Sequence, residues 1–218
     1  MASGCLLYYI TDRSQFRGDE RGRRGALLAK VAEAARARVE YIQLREKDLS
    51  VRELEMLARQ VVAAVRGSSS LTRLLINSRT DVALAAGADG VHLRADDVAP
   101  HDARQVLEFS AHRRLATDHF LVAASCHKVA DVFRAESGKA DFAVFAPVFG
   151  KRGAAGTSPA GLASLQDACR AKIPILALGG VTVENAASCL NAGAAGVAGI
   201  RLFQENTIEE VVRALRAF

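Results

Sequence analysis

The sequence predicts a single-domain (β/α)8 (TIM) barrel over residues 1–218. Eight short apolar runs recur along the chain, most of them stop on a polar, charged or glycine residue, and the segments between them are long enough for a helix. Strands alternating with helices favour a parallel sheet buried on both faces, whose strands are continuous hydrophobic runs. Eight such units favour closure into a barrel that binds its ligand at the carboxyl ends of the strands. The predicted strands are 6–11, 41–45, 74–77, 90–93, 121–125, 142–148, 175–180 and 196–201.

Helix signals lie between these runs. Ser50 and Glu53 have the spacing of a capping box and precede apolar residues at helical intervals. Thr207 and Glu210 repeat that spacing near the end of the chain, and Thr182 is expected to cap a helix that ends at a following Asn-Ala-Gly turn. The connections are therefore predicted to be helical.

Composition excludes several other classes of protein. With 218 residues and 50% hydrophobic content, the chain can bury one full core and leaves little sequence for a second domain. No apolar run approaches the ~20 residues of a membrane span, and no export signal is recognisable. The four cysteines show neither metal-binding nor disulfide spacing. We expect a cytoplasmic protein with reduced thiols and no membrane partner.

The charge of the chain favours small anionic ligands over nucleic acid. The net charge is +5, and the most basic segment, residues 17–24, includes Asp19 and Glu20. A diluted charge run of this kind is typical of a solvated surface, and nucleic-acid binding requires a concentrated basic face. We expect no nucleic-acid partner.

The end of the second strand carries an amide and two cations. Alternate residues of a strand share a face, so Gln43, Arg45 and Lys47 can point together into the barrel mouth. Arginine binds phosphate through its planar fork and lysine binds it as a point charge, so this set suits a phosphorylated ligand. The alternative is that the two cations pair with Glu46, Asp48 or other residues on the rim.

The next three strand ends contribute polar side chains. Asn77 ends the third strand, and Asp97, which follows the fourth, is a candidate Mg²⁺ ligand or a solvated carboxylate. His92 is either a hydrogen-bonded core histidine or a catalytic one. Ser125 and His127 do not form a hydrolase triad without an orienting acid and an oxyanion hole, so Ser125 is interpreted as a hydrogen-bond donor to ligand.

Glycines mark the last two strand ends. Gly179 and Gly180 close the seventh strand, and the eighth contains Gly196 and Gly199 before Arg201. The loops after strands seven and eight form a recurrent phosphate site in this fold, where glycine permits close backbone approach. Tight barrel packing is the alternative explanation for these glycines.

These segments together resemble the thiamine-phosphate synthase (thiamine-phosphate pyrophosphorylase) family, including its thiazole tautomerase-like relatives, from Tyr9 to Phe203. Their order and spacing are specific to the family, although no single segment is. The matching segments are 9–12, 43–47, 88–93 with Asp97, 125–127, 146–149, 178–181 with Glu184 and Asn185, and 192–198.

The resemblance implies an Mg²⁺-dependent transferase. Such an enzyme couples 4-amino-5-hydroxymethyl-2-methylpyrimidine diphosphate to a thiazole phosphate, giving thiamine phosphate and diphosphate. The family is thought to form a pyrimidine carbocation that the thiazole nitrogen captures, so no protein nucleophile is required. We expect the two phosphorylated substrates as partners, and a homodimer is the assembly considered. The implied sites are Gln43, Arg45, Lys47, Asn77 and Ser125 for the pyrimidine diphosphate, with Arg45, Lys47 and Ser125 catalytic; Gly180, Ile200 and Arg201 for the thiazole phosphate; and Asp97 for Mg²⁺.

Two departures from the family pattern affect this expectation. The family usually has Asn-Asp after the third strand, whereas this chain has Asn77-Ser78, so the metal should bind more weakly unless Asp81 or water compensates. The family's Pro-Thr-x-Thr-Lys loop after the sixth strand is also replaced. Residue correspondence is lost over 150–158, where the candidate contacts are Lys151, Arg152, Thr157 and Ser158.

Two other functions remain open at this point. Ser78 favours the thiazole tautomerase, because such relatives also lose the metal Asp. However, those relatives carry a histidine where this chain has Pro147, and the Gln43-x-Arg45-x-Lys47 set favours the transferase. The third alternative is a non-catalytic phosphate-ligand-binding paralogue, since fold alone does not determine function.

Overall fold

The strands form a closed, all-parallel barrel in which each strand pairs with its neighbours in sequence and β8 pairs with β1. The computed structural model describes residues 4–68, 71–111, 119–150 and 158–218. The strands are β1 Leu6–Ile10, β2 Tyr41–Leu44, β3 Arg73–Asn77, β4 Gly90–Leu93, β5 Leu121–Cys126, β6 Phe142–Phe145, β7 Ile175–Ala177 and β8 Gly196–Gly199. The predicted (β/α)8 barrel is confirmed.

The helices lie on the outside of the barrel and follow the strands in turn. A short 3₁₀ turn, Arg13–Gln15, comes before the first of them. The helices are α1 Glu20–Arg36, α2 Val51–Arg66, α3 Thr80–Ala86, α4 Pro100–Ala111, α5 Val129–Ser137, α6 Gly161–Ala168, α7 Ala186–Asn191, α8 Arg201–Gln204 and α9 Ile208–Leu215.

One of the three predicted helix caps forms. Ser50 and Glu53 make the reciprocal capping box at the start of α2. Thr207 precedes α9 without a side-chain cap, so that capping box is wrong. Thr182 caps no helix, because α7 begins only at Ala186. The Asn185 side chain orders the intervening turn instead: it accepts from the Thr182 N–H at 2.8 Å.

Two of the predicted strands are shorter than their apolar runs. The runs over 142–148 and 175–180 continue beyond Phe145 and Ala177, where β6 and β7 end. The chain leaves the sheet at these points. Gly179 takes a positive φ of 97°, which lies outside extended backbone geometry. The residues beyond the strand ends are therefore available to form the mouth of the barrel.

Aromatic residues close the barrel at its amino end. Tyr41 and Phe142, each the first residue of its strand, stack with their ring centroids 4.7 Å apart. Tyr8 packs edge-on against both rings and is fully buried. Because side chains fill this end of the interior, the barrel can accept a ligand only at the carboxyl ends of its strands.

Two further properties bear on the expectations from composition. Within the ranges that the structure describes, no helix is both long enough and apolar enough to cross a membrane. The four cysteines are free thiols, and three of them are buried: Cys5, Cys126 and Cys189.

Candidate active site

A cavity of about 950 Å³ opens at the carboxyl ends of the strands. Its wall brings together six of the nine residues that the sequence proposes as site residues, from β2, β3, β5 and the segments after β2 and β8: Gln43, Arg45, Lys47, Asn77, Ser125 and Ile200. The other three, Asp97, Gly180 and Arg201, are next to wall residues in sequence or contact them, without lining the cavity themselves. The wall also includes Ser78, Arg79, His92, Arg94, His127, Pro147 and Gly179.

The amides at the ends of β2 and β3 face each other across the pair of strands. Gln43 is buried, and its Nε2 donates to Asn77 Oδ1 at 3.5 Å, which is a long hydrogen bond. The two strands are parallel neighbours in the barrel, so the end of each strand lies at the same rim. Both amides therefore line one side of the cavity, with hydrogen-bonding capacity left for a ligand.

The carboxylates near Arg45 in sequence, Glu46 and Asp48, form ion pairs with another arginine, Arg13. Arg13 Nη1 lies 3.1 Å from Glu46 Oε2 and 2.7 Å from Asp48 Oδ1. Within the described ranges, the half-buried Arg45 guanidinium forms no salt bridge at all. The rim-pairing alternative is therefore wrong for Arg45.

Thr11, just after β1, holds the backbone of the segment after β2 in place. Its hydroxyl donates to Glu46 Oε1 at 2.6 Å and accepts from the Arg45 N–H at 3.0 Å. Because Thr11 and Glu46 are both buried, these contacts attach the segment after β2 to β1. The backbone of Arg45 is thus fixed while its side chain faces the cavity.

A chain of hydrogen bonds runs from the interior of the barrel to the cavity wall. Tyr8 Oη lies 3.0 Å from His92 Nδ1, and His92 Nε2 lies 2.8 Å from Ser125 Oγ. Burial, with a smaller contribution from the positive charge of Arg45, lowers the pKa of His92 to about 3. His92 is therefore neutral near pH 7. It is a hydrogen-bonded core histidine, and it also contacts the predicted ligand donor Ser125.

The predicted metal ligand, Asp97, contacts Ser78, which lines the cavity, but does not line the cavity itself. Ser78 has φ 65°, and its hydroxyl donates to Asp97 Oδ2, which also accepts from the Arg94 N–H at 2.7 Å. In the part of the chain that the structure describes, no three potential metal-ligating His, Cys, Asp or Glu side chains cluster. Asp81 pairs with Arg79 at the start of α3 and is absent from the cavity wall, so it does not replace the missing carboxylate. Magnesium binding at Asp97 stays a prediction.

Packing explains both glycines that follow β7, Gly179 and Gly180. A Cβ on Gly179 would lie 2.7 Å from Pro147 Cα, and one on Gly180 would lie 2.8 Å from the Gly150 carbonyl oxygen. Both glycines also have positive φ, which disfavours any side chain. Gly179 lines the cavity, whereas Arg201 is an exposed residue at the start of α8. Phosphate binding at Gly180, Ile200 and Arg201 stays a prediction.

The divergent loop falls mostly outside the structural description. Lys151, Arg152 and Thr157 lie outside the described residues, and Ser158 is exposed. The predicted contacts of this loop are therefore untested.

Sequence reasoning assigned no site role to two residues at or near the cavity, His127 and Arg13. His127 lines the wall, and its Nδ1 donates to the Ala146 carbonyl at 2.8 Å. Its spacing of two residues from Ser125 is the signal that could have placed both on one face. Arg13 gave no such signal, because its partners Glu46 and Asp48 are 33 and 35 residues away in sequence.

The barrel and a cavity lined by an arginine that forms no salt bridge with a described carboxylate define a (β/α)8 protein whose cavity suits an anionic ligand. Residues 7–203 match the family model described as thiamine monophosphate synthase. A thiamine-phosphate synthase of Methanoculleus marisnigri is 37% identical over 217 residues, covering 98% of this chain and 94% of that protein. One from Chlorobium luteolum is 38% identical over 191 residues, covering 86% and 84%.

Among solved structures, the thiamine phosphate pyrophosphorylase from Pyrococcus furiosus matches with a TM-score of 0.78 and 26% identity. The match covers 97% of this chain and 94% of that one. The chain therefore belongs to the thiamine monophosphate synthase family, as the resemblance of its strand ends predicted.

Proposed function

We propose that this protein is a transferase that makes thiamine phosphate. It couples 4-amino-5-hydroxymethyl-2-methylpyrimidine diphosphate to a thiazole phosphate and releases diphosphate. Family membership and the names of its relatives support the reaction. The observation that carries the proposal in this chain is the arrangement of charges around Arg45.

Arg45 keeps its positive charge available to a ligand. Among the described residues Arg45 forms no salt bridge; a half-buried cation in that state is unfavourable, and an anion that binds it offsets that cost. Arg13 already binds the two nearest carboxylates in sequence, Glu46 and Asp48. A diphosphate in the cavity suits Arg45, because a guanidinium can bind phosphate oxygens through two parallel N–H bonds.

The proposed reaction uses these groups to stabilise a departing anion. The bond between the pyrimidine methylene carbon and the diphosphate oxygen breaks, and the electron pair leaves with the diphosphate. The thiazole nitrogen then supplies the electron pair of the new C–N bond. Arg45 and Lys47 stabilise the negative charge that grows on the diphosphate, and Ser125 donates a hydrogen bond to the same substrate. No protein nucleophile takes part.

We propose Mg²⁺ as the cofactor, bound more weakly than a site with two carboxylates would bind it. Magnesium takes hard oxygen ligands and often combines one or two carboxylates with water and substrate phosphates. The oxygen donors next to the cavity, Asp97 and Ser78, fit that requirement with a single negative charge. When bound, the ion would offset charge on the diphosphate. The cytoplasmic location and the homodimer stay expectations.

The direct test supplies both phosphorylated substrates with Mg²⁺ and measures thiamine phosphate by mass together with released diphosphate. We expect equal amounts of the two products. Arg45→Gln should lower the rate at saturating substrates, whereas Arg170→Gln, which changes an arginine with an exposed side chain just after α6 that does not line the cavity, should not. A folded wild-type protein without product would overturn the proposal. Conversion of the thiazole carboxylate phosphate tautomer alone would indicate the isomerase, and ligand retention without turnover would indicate the binding paralogue.

A further inference from the structure

The chain of hydrogen bonds from Tyr8 to Ser125 has a direction. Tyr8 lies on β1, His92 on β4 and Ser125 on β5, so three strands meet along this line inside the barrel. Tyr8 is 0% exposed and His92 is 2% exposed, while Ser125 lines the cavity. His92 also borders the cavity, but Tyr8 and Ser125 occupy its two ring nitrogens. Ser125 is therefore the group of the three that has hydrogen-bonding capacity left for a ligand.

Tyr8 determines which nitrogen of His92 carries the proton. In the described part of the chain, His92 Nδ1 is the only acceptor within hydrogen-bond distance of the Tyr8 hydroxyl. If Nδ1 carried the proton, the Tyr8 hydrogen would be buried without an acceptor, which is unfavourable. Burial also keeps the imidazole neutral. Nδ1 is therefore the acceptor, and the proton is on Nε2.

This tautomer determines what Ser125 can offer to a ligand. The Nε2–H donates to Ser125 Oγ across 2.8 Å. None of the described residues provides an acceptor for the hydrogen of the Ser125 hydroxyl, so that hydrogen is available to a ligand in the cavity. With the other tautomer, Ser125 would donate to His92 and present only lone pairs to the ligand, which would repel an anion.

We propose that Tyr8 is a positioning residue: through His92, it holds Ser125 as a hydrogen-bond donor toward an oxygen or nitrogen acceptor of the pyrimidine diphosphate. The ligand side of this inference rests on the proposed function. The tautomer itself depends only on the unliganded protein.

The first test reads the tautomer without substrate. Nitrogen NMR of protein labelled with ¹⁵N-histidine distinguishes protonated from unprotonated ring nitrogens, and His92→Gln identifies the His92 signals among the five histidines. We expect an unprotonated Nδ1 and a protonated Nε2 at neutral pH. Tyr8→Phe should shift both signals toward a mixture of tautomers. A wild-type spectrum with a protonated Nδ1 would overturn the proposal, even if Tyr8→Phe did not fold.

The second test asks whether Tyr8 acts through Ser125. Since a hydrogen bond to the substrate is lost, we expect Ser125→Ala to lower kcat/KM for the pyrimidine diphosphate about ten- to a hundredfold and Tyr8→Phe about three- to thirtyfold. The double variant should be no worse than Ser125→Ala within about twofold, because coupled residues are not additive. Multiplied losses would overturn the proposal.

Tyr9→Phe is the matched control, because it also removes a buried phenol hydroxyl from β1. The Tyr9 hydroxyl donates to Gln204 at 3.2 Å, and Tyr9 does not line the cavity. We expect this variant to leave the His92 signals and kcat/KM unchanged. If the wild-type protein made no thiamine phosphate, the proposed function would fail while the spectra still decided the tautomer.

Discussion

Arg13 and Glu46 form a buried ion pair beneath the rim of the cavity, with Arg13 Nη1 3.1 Å from Glu46 Oε2 and side chains 5% and 1% exposed. Arg13 also binds Glu20 at the start of α1 at 2.9 Å, and Asp48 after β2 at 2.7 Å. One guanidinium thus joins the segments after β1 and β2 to the first helix. It also pairs with the two carboxylates nearest to Arg45 in sequence, Glu46 and Asp48, so Arg13 influences both the shape and the charge of the site.

Replacing Arg13 should therefore destabilise the protein strongly. Arg13→Met leaves Glu46 buried without its cation, and breaking a buried pair in this way costs about 3–5 kcal/mol of unfolding free energy. Urea unfolding followed by circular dichroism measures the loss. Arg134→Met is the control, because its pair with Asp131 is at the surface, where ion pairs contribute up to about 1 kcal/mol. Equal losses in the two variants would contradict the structural role of Arg13.

The strands were predictable because each is buried on both faces. All eight apolar runs overlap an observed strand, from β1 at Leu6–Ile10 to β8 at Gly196–Gly199. The ends of β6 and β7 were not predictable, since apolar residues continue past them into the cavity wall. There, Pro147 and Gly179 come close together and the chain turns away from the sheet. Hydrophobicity alone does not record that change of backbone conformation.

Site residues were predictable where they follow a strand and face its open end. Gln43, Arg45 and Ser125 line the cavity for this reason. The groups that orient them were less visible, because their partners come from other strands. Arg13 finds Glu46 only after the barrel closes. The hydroxyl of Tyr8 likewise reaches His92 across 84 residues of sequence.

Lys47 should contribute to the rate of the transferase. It is exposed on the cavity wall, two residues beyond Arg45. Lys47→Ala should lower kcat about ten- to a thousandfold, because charge stabilisation of the departing diphosphate is lost. Turnover at saturating substrates measures this effect. Lys172→Ala changes an exposed lysine before β7, at the opposite end of the barrel, and should leave kcat unchanged. Unaltered turnover in Lys47→Ala would reject the role.

Ser78→Asp should strengthen the proposed magnesium site. The position has φ 65°, which Asp and Asn tolerate better than most residues, and it contacts Asp97. A second carboxylate there would repel Asp97 until a cation binds between them. We expect a lower Mg²⁺ concentration for half-maximal activity and a larger rise in melting temperature on adding Mg²⁺.

Ser78→Asn separates charge from backbone effects in that experiment. It has the same shape and the same tolerance of positive φ as Ser78→Asp, but it adds no negative charge. We expect its Mg²⁺ dependence to stay close to that of the wild type. If Ser78→Asp and Ser78→Asn responded alike to Mg²⁺, the proposed geometry at Asp97 would be wrong.

The neutral state of His92 should make the folded protein sensitive to mild acid. The pKa of His92 in the folded protein, about 3, lies below the ordinary value of 6.5. Below pH 6.5 the unfolded chain therefore binds a proton at this histidine that the folded protein does not bind. The stability contributed by neutral His92 is therefore complete above pH 6.5 and is lost as the pH falls toward 3. A difference of one bound proton changes the unfolding free energy by about 1.4 kcal/mol per pH unit.

His92→Gln should remove this dependence, because glutamine keeps a donor and an acceptor but does not titrate. Urea unfolding between pH 7 and pH 4 should show the stability of the wild type falling toward that of His92→Gln, by about 1.4 kcal/mol per pH unit below pH 6.5. His101→Gln, at an exposed histidine in α4, should stay parallel to the wild type. Parallel curves for His92→Gln and the wild type would show that His92 is charged or solvated in the folded protein, and the direction assigned to the Tyr8–His92–Ser125 chain would then be wrong.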